Sequence, residues 1–159
     1  MARLQLSAEA LGWPAALPDA ADLAAAVTAA CAQAAVPRRV RVTVGQGGPA
    51  DVVVEAAELQ PLATAGAILR VVVATEHPVA PDAQLLRHKT TNRTVYDAAR
   101  ARHGVGQLGG PADVMLVNTR GEVTESSIAN VLIDLSGTGD WVTPPVFCGM
   151  RNRPPWHDA

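Results

Sequence analysis

The chain nearly lacks lysine: of its thirteen basic side chains twelve are arginine, and the only lysine is Lys89. An arginine stays protonated at any accessible pH and cannot act as an amine nucleophile, whereas a lysine, ordinarily near a pKa of about 10.4, can be pushed down by burial or a neighbouring cation. Any amine chemistry therefore falls to Lys89; taken alone, the same residue reads as a surface lysine left over by an arginine-rich composition. Aromatic residues are also scarce, at 3%, which leaves little for base stacking and puts the core on Val, Leu, Ile and Ala. The net charge is −2 and the arginines are scattered, so the basic face of a nucleic-acid binder is missing. Cys31 and Cys148 stand far apart without metal-ligand spacing, and no metal site is expected. With no basic leader ahead of an apolar segment, the expected location is cytoplasmic. The most apolar stretch, 20–36, is mostly alanine and carries Asp22, Thr28 and Gln33, too weak a signal for a membrane span.

At 159 residues the chain can bury a substantial core as one domain or two small lobes. Residues 2–11 read as the end of a helix stopped by Gly12 and Pro14. Asp19 is placed to cap a second helix through about Ala35, which Pro37 ends. The period then changes: Val40, Val42 and Val44 alternate with Arg39, Arg41 and Thr43, predicting a half-buried strand. A turn at Gly45–Pro49 leads to a second strand, 51–56, and a third follows at 68–74, forming a small, antiparallel first-lobe sheet over residues 1–76. His77-Pro78-Val79-Ala80-Pro81-Asp82 reads as an extended linker, bounded at 77–84, before a second lobe over 85–159. There the pattern predicts a helix from about Thr91 to Arg102 ending near Gly104, a glycine-rich loop at 106–111, and short strands at 114–118, 122–124, 128–135 and 141–143, with a turn at Arg120-Gly121.

Three segments carry candidate chemistry: Arg3-Leu4 followed by Ser7-Ala8; His88-Lys89-Thr90-Thr91-Asn92-Arg93 with Tyr96-Asp97; and Gly121-Glu122-Val123-Thr124-Glu125-Ser126-Ser127 with Asn130. Trp141-Val142-Thr143-Pro144-Pro145 comes after them. In this order and separation they resemble the fold type IV pyridoxal-phosphate enzymes, the family of branched-chain aminotransferases and aminodeoxychorismate lyases. The resemblance runs to about Met150 and implies an α/β (α+β) two-lobed architecture with pyridoxal 5'-phosphate between the lobes. It implies a homodimer and a small-molecule amine substrate, with no nucleic acid or membrane partner. Lys89 matches the lysine that holds the cofactor as a Schiff base and then moves protons beside the same carbon. Glu125 matches the carboxylate near the pyridine nitrogen, and Arg3 the phosphate-binding arginine. Arg93 falls where relatives place a donor toward the cofactor's phenolic oxygen, with Tyr96 a weaker candidate on a face shared with Lys89 if the helix reaches back that far; Ser127 completes the cofactor-binding set. Arg41 is a candidate for a substrate carboxylate, as a residue of that strand is in some relatives.

Each residue also has a plainer reading. Glu125 suits a turn end beside Thr124, Arg3 a terminal arginine, and Tyr96 and Asn92 packing and capping. After Met150 the family continues into a Gly-x-x-Arg segment opening a helix, whereas here Arg151-Asn152-Arg153-Pro154-Pro155-Trp156-His157-Asp158-Ala159 follows. The opening strands of the family also have no counterpart before Arg3, so the expected fold is an incomplete one, truncated at both ends. The expected reaction is that of an aminodeoxychorismate lyase, releasing pyruvate from 4-amino-4-deoxychorismate to give 4-aminobenzoate for folate synthesis. The alternatives are a branched-chain or D-amino acid aminotransferase, and an inactive fragment acting only as a binding or dimerising module.

Overall fold

A computed structural model describes residues 2–13, 17–59 and 68–149; Pro14 and the tail from Arg151 lie outside the described residues. The chain divides into two compact units, residues 1–67 and 68–159.

The first unit opens with helix α1, Ala2–Ala10. It ends as Gly12 predicts: that residue takes a left-handed φ of 67°, and the amides of Gly12 and Trp13 reach back to the carbonyls of Glu9 and Ala8 at 3.1 and 2.9 Å. Only glycine adopts this backbone cheaply, and the two bonds satisfy carbonyls the helix leaves open. Helix α2, Ala20–Cys31, starts where Asp19 was expected to cap it, with the Ala21 amide donating to Asp19 Oδ1 at 2.6 Å, a contact worth about 1 kcal/mol. It stops at Cys31 rather than near Ala35. Strands β1, Arg38–Val44, and β2, Val52–Glu58, pair antiparallel in a two-stranded sheet with Val42 opposite Val54 and Arg41 opposite Glu55. Arg41 and Glu55 form an exposed ion pair at 3.6 Å.

The third strand departs from expectation. β3 runs over Val71–Val79 and pairs not with β2 but in parallel with β4, Asp113–Asn118, in the second unit. The boundary therefore falls between residues 67 and 68 instead of at 77, and His77-Pro78-Val79 is strand, not linker. The physical reason is that Val72 and Ala74 find buried partners in Val114 and Leu116, an apolar gain that an isolated extended linker cannot make. Parallel strands need a crossover, and residues 80–112 supply it with a single helical turn, α3, Gln84–Arg87, and helix α4, Thr94–Arg102. Gly104, at φ 65°, closes α4 with the same pair of backward bonds, Gly104 to Ala101 and Val105 to Arg100.

β4 then turns at Arg120-Gly121 into β5, Val123–Ser126, giving the sheet order β3-β4-β5. The buried side chains Ala74, Val79, Leu86, Tyr96, Ala99, Val114 and Leu116 make the core between this sheet and the crossover. The expected strand at 128–135 shrinks to β6, Ile133–Asp134, paired with β7, Trp141–Val142. Among the described residues no helix is long and apolar enough to cross a membrane.

Candidate active site

The crossover brings one face of α4 against the end of β5. Arg93 leads into α4, and Tyr96 and Arg100 follow three and seven positions later, the spacing of a single helical face. β5 is irregular at the position they meet. Two steps along β4, from Val117 to Met115, are matched by three along β5, from Val123 to Ser126. The extra residue is a bulge, which breaks the usual alternation and re-aims side chains. As a result Thr124, Glu125, Ser126 and Ser127 are all buried in succession.

Glu125, 3% exposed, accepts a hydrogen bond from the Tyr96 hydroxyl at 2.5 Å. Arg93 donates through Nη2 to the Ser127 carbonyl at 2.7 Å, pairs with Asp97 at 3.7 Å, and lies over the Tyr96 ring, 5.0 Å from its centroid. A second carboxyl group lies beside Ser126 and Ser127. Asp113, at the start of β4, accepts from the hydroxyls of Ser126, at 2.6 Å, and Ser127, and pairs with Arg100 at 3.3 Å. Arg100 also donates to Ser127 Oγ at 2.9 Å. Burial pushes the Asp113 carboxyl up, but bonds from the Ser126 and Ser127 hydroxyls and the Val114 and Ile128 amides outweigh it and hold it below the usual carboxylate range. The turn that follows is fastened by Ser126, whose amide donates to the Ala129 carbonyl at 3.2 Å while its Oγ accepts from the Ala129 amide at 2.9 Å.

Four of the seven residues singled out by sequence thus converge: Arg93, Tyr96, Glu125 and Ser127 meet at the end of β5, while Arg41 lies in the first unit, paired with Glu55. Lys89 is exposed on the loop between α3 and α4. It does not share a helical face with Tyr96, because Asn92 Oδ1 accepts from the Thr94 amide and hydroxyl at 3.2 and 2.8 Å and so starts the helix at Thr94 instead of Thr91. Arg3 is exposed on α1 and belongs to the first unit. Sequence reasoning missed Arg100 and Asp113. The helical spacing from Arg93 to Arg100 was available as a signal for the former; the role of Asp113 depends on the bulge and had none.

The family model for class IV aminotransferases matches residues 1–152. The chain belongs to the class IV aminotransferase family. Solved structures agree. A provisionally assigned amino-acid aminotransferase from Mesorhizobium loti is similar at 32% identity with a TM-score of 0.77, covering 94% of this chain and 67% of its own. A provisionally assigned 4-amino-4-deoxychorismate lyase from Legionella pneumophila superposes with a TM-score of 0.73 at 17% identity, covering 94% of this chain and 56% of its own. The branched-chain aminotransferase of Thermoproteus uzoniensis gives 0.68 at 20%, with 94% and 52% covered. The chain thus spans between half and two thirds of the length of these class IV structures. Over that span its α/β architecture is theirs, the fold type IV arrangement. No curated protein sequence matches.

Proposed function

We propose that this class IV chain holds pyridoxal 5'-phosphate through Lys89 and acts on a small-molecule amine, with aminodeoxychorismate lyase chemistry as its reaction. The observation that supports this best is the buried Glu125 carboxylate, fixed by Tyr96 beside Arg93 and Ser127. A carboxylate taken out of water calls for charge-matched donors, and a protonated pyridine ring offers a cationic N–H of that kind. The rest of the donor set fits the group as well: one lysine amine on an exposed loop, and arginines suited to anionic oxygens. When bound, the cofactor supplies an aldehyde that captures amines and a ring that takes up the electron pair of a broken bond.

Lys89 Nζ would be the amine that holds the group, and the same nitrogen would serve as the base that takes and returns a proton. Glu125 would be the carboxylate that keeps a proton on the ring nitrogen. Arg93 and Ser127 tie α4 to the strand end and so hold Glu125 against it, and Arg3 is assigned to the phosphate. A homodimer and a cytoplasmic location belong to the same proposal.

The lyase reaction is supported by Lys89-Thr90-Thr91-Asn92-Arg93, which is closer to that branch than to the branched-chain aminotransferases. It would convert 4-amino-4-deoxychorismate to 4-aminobenzoate and pyruvate. Transamination of an amino acid is the second reading, favoured by 32% identity to the Mesorhizobium loti protein against 17% to the Legionella one. Titration with pyridoxal phosphate, followed by visible absorbance, tests the site, and two additions then separate the reactions. Release of 4-aminobenzoate and pyruvate establishes the lyase. Interconversion of the cofactor's aldehyde and amine forms by an amino acid and a keto acid establishes the aminotransferase. Binding with neither product leaves a binding module, and identical spectra for the wild type and Lys89→Ala reject the proposal.

A further inference from the structure

Tyr96 is the chain's single tyrosine, and it serves two surroundings at once. Its ring is 2% exposed, packed in the core with Ala74, Leu86, Ala99 and Leu116. Its hydroxyl leaves that core to donate to Glu125 Oε1 at 2.5 Å. Arg93 covers the ring and ties its own guanidinium to the Ser127 carbonyl two residues beyond Glu125. The phenol therefore has little freedom to turn elsewhere.

A carboxyl group rotates easily about its last bond, in a broad two-fold well. A charge-assisted bond from a rigid donor to one oxygen restricts that freedom, and the Tyr96 hydroxyl makes such a bond to Glu125 at the strand end where β5 bulges. From this geometry we infer that Tyr96 is a positioning residue: it orients the Glu125 carboxylate toward the cofactor's ring nitrogen and does not donate to the cofactor itself. The role rests on the reading of Glu125 given under Proposed function. It reassigns the hydroxyl that the sequence offered weakly to the cofactor's phenolic oxygen. A purely structural tyrosine would satisfy the same buried carboxylate without affecting how it meets a ligand, and the two cases differ in their coupling.

The test is a double-mutant cycle on pyridoxal phosphate affinity with wild type, Tyr96→Phe, Glu125→Gln and the double variant. Melting temperature is read in parallel, and borohydride labelling of Lys89 checks where the cofactor sits. Tyr96→Phe is expected to weaken binding roughly tenfold, in the range of one hydrogen bond to a charged group. In the Glu125→Gln background the same change should alter affinity less than about twofold. Equal effects in both backgrounds, with only the melting temperature lowered, would reduce Tyr96 to a core residue. If Tyr96→Phe does not fold, 3-fluorotyrosine decides instead, because it labels position 96 alone. Its fluorine resonance should move when pyridoxal phosphate saturates the wild type and should respond far less in Glu125→Gln; a resonance that stays fixed while Lys89 is labelled overturns the role. If wild-type Lys89 takes no label, the functional reading fails and the positioning role falls with it. If Lys89 is labelled but the cycle is additive, the positioning role alone fails.

Discussion

Asp113 is the anion around which the end of β5 is arranged, gathering two serine hydroxyls and the Arg100 guanidinium. Its folded-state pKa is lowered from 3.8, so as pH falls the unfolded chain takes up this proton first. The stability it contributes is complete above that value and is lost as pH drops through the folded pKa. Asp113→Asn should cost about 1–3 kcal/mol at neutral pH by leaving buried hydroxyls poorly matched, and should flatten the loss of stability below pH 3.8. Urea melts across that range check it; Glu122 and Asp134 also have lowered values, so the variant must be compared with wild type at each pH. Lys89→Ala should reduce turnover by roughly 10²–10⁴-fold if Lys89 is the proton-transfer base, measured as initial rates with the fold confirmed by circular dichroism. At this scale the sequence draws attention to a residue where its type is rare or its neighbours form an ordered motif. Lys89 stood out because no other lysine competes, and Glu125 and Ser127 because they sit in an ordered motif. Asp113 and Arg100 were silent because their role is to hold other residues, which only the three-dimensional register reveals.

Among the elements, those with local signals behaved as expected. Asp19 and Gly12 mark a helix start and stop through bonds within a few residues of themselves, and the valine alternation of β1 needs only one buried face. What could not be read was pairing. Nothing in Val71–Val79 alone says that it joins β4 in parallel, since the reward comes from Val114 and Leu116 some forty residues later. The start of α4 was misplaced because Asn92 bonds to Thr94 instead of letting the helix run back toward Lys89. Two substitutions probe these elements. Leu116→Ala, at 1% exposure in the central strand β4, should cost about 2–5 kcal/mol in thermal or urea unfolding. Gly110→Ala should destabilise by roughly 1–3 kcal/mol, because a Cβ there would overlap the Gly104 carbonyl oxygen in the loop that ends α4.

At the scale of the whole molecule, the proposed site residues fall unequally on the two units. The Tyr96–Glu125 pair and its supports lie within residues 68–159, while Arg3 lies in the first unit. The second unit also exposes Ile128, Leu132, Leu135, Trp141, Val146 and Phe147 within twenty residues of chain, and the proposed homodimer would give such side chains a place to be covered. Concentration-dependent association is expected by sedimentation velocity, and a single monomeric species across the accessible range would contradict it. The family membership, the buried carboxylate and the one lysine converge on the claim that Lys89 holds pyridoxal phosphate. The most direct measurement is to mix the folded chain with near-stoichiometric cofactor, reduce with borohydride, and locate the label by peptide mass spectrometry. A phosphopyridoxyl group on the Lys89 peptide, absent from Lys89→Ala and from heat-denatured protein, is the expected result; labelling no greater than in the denatured control would contradict it.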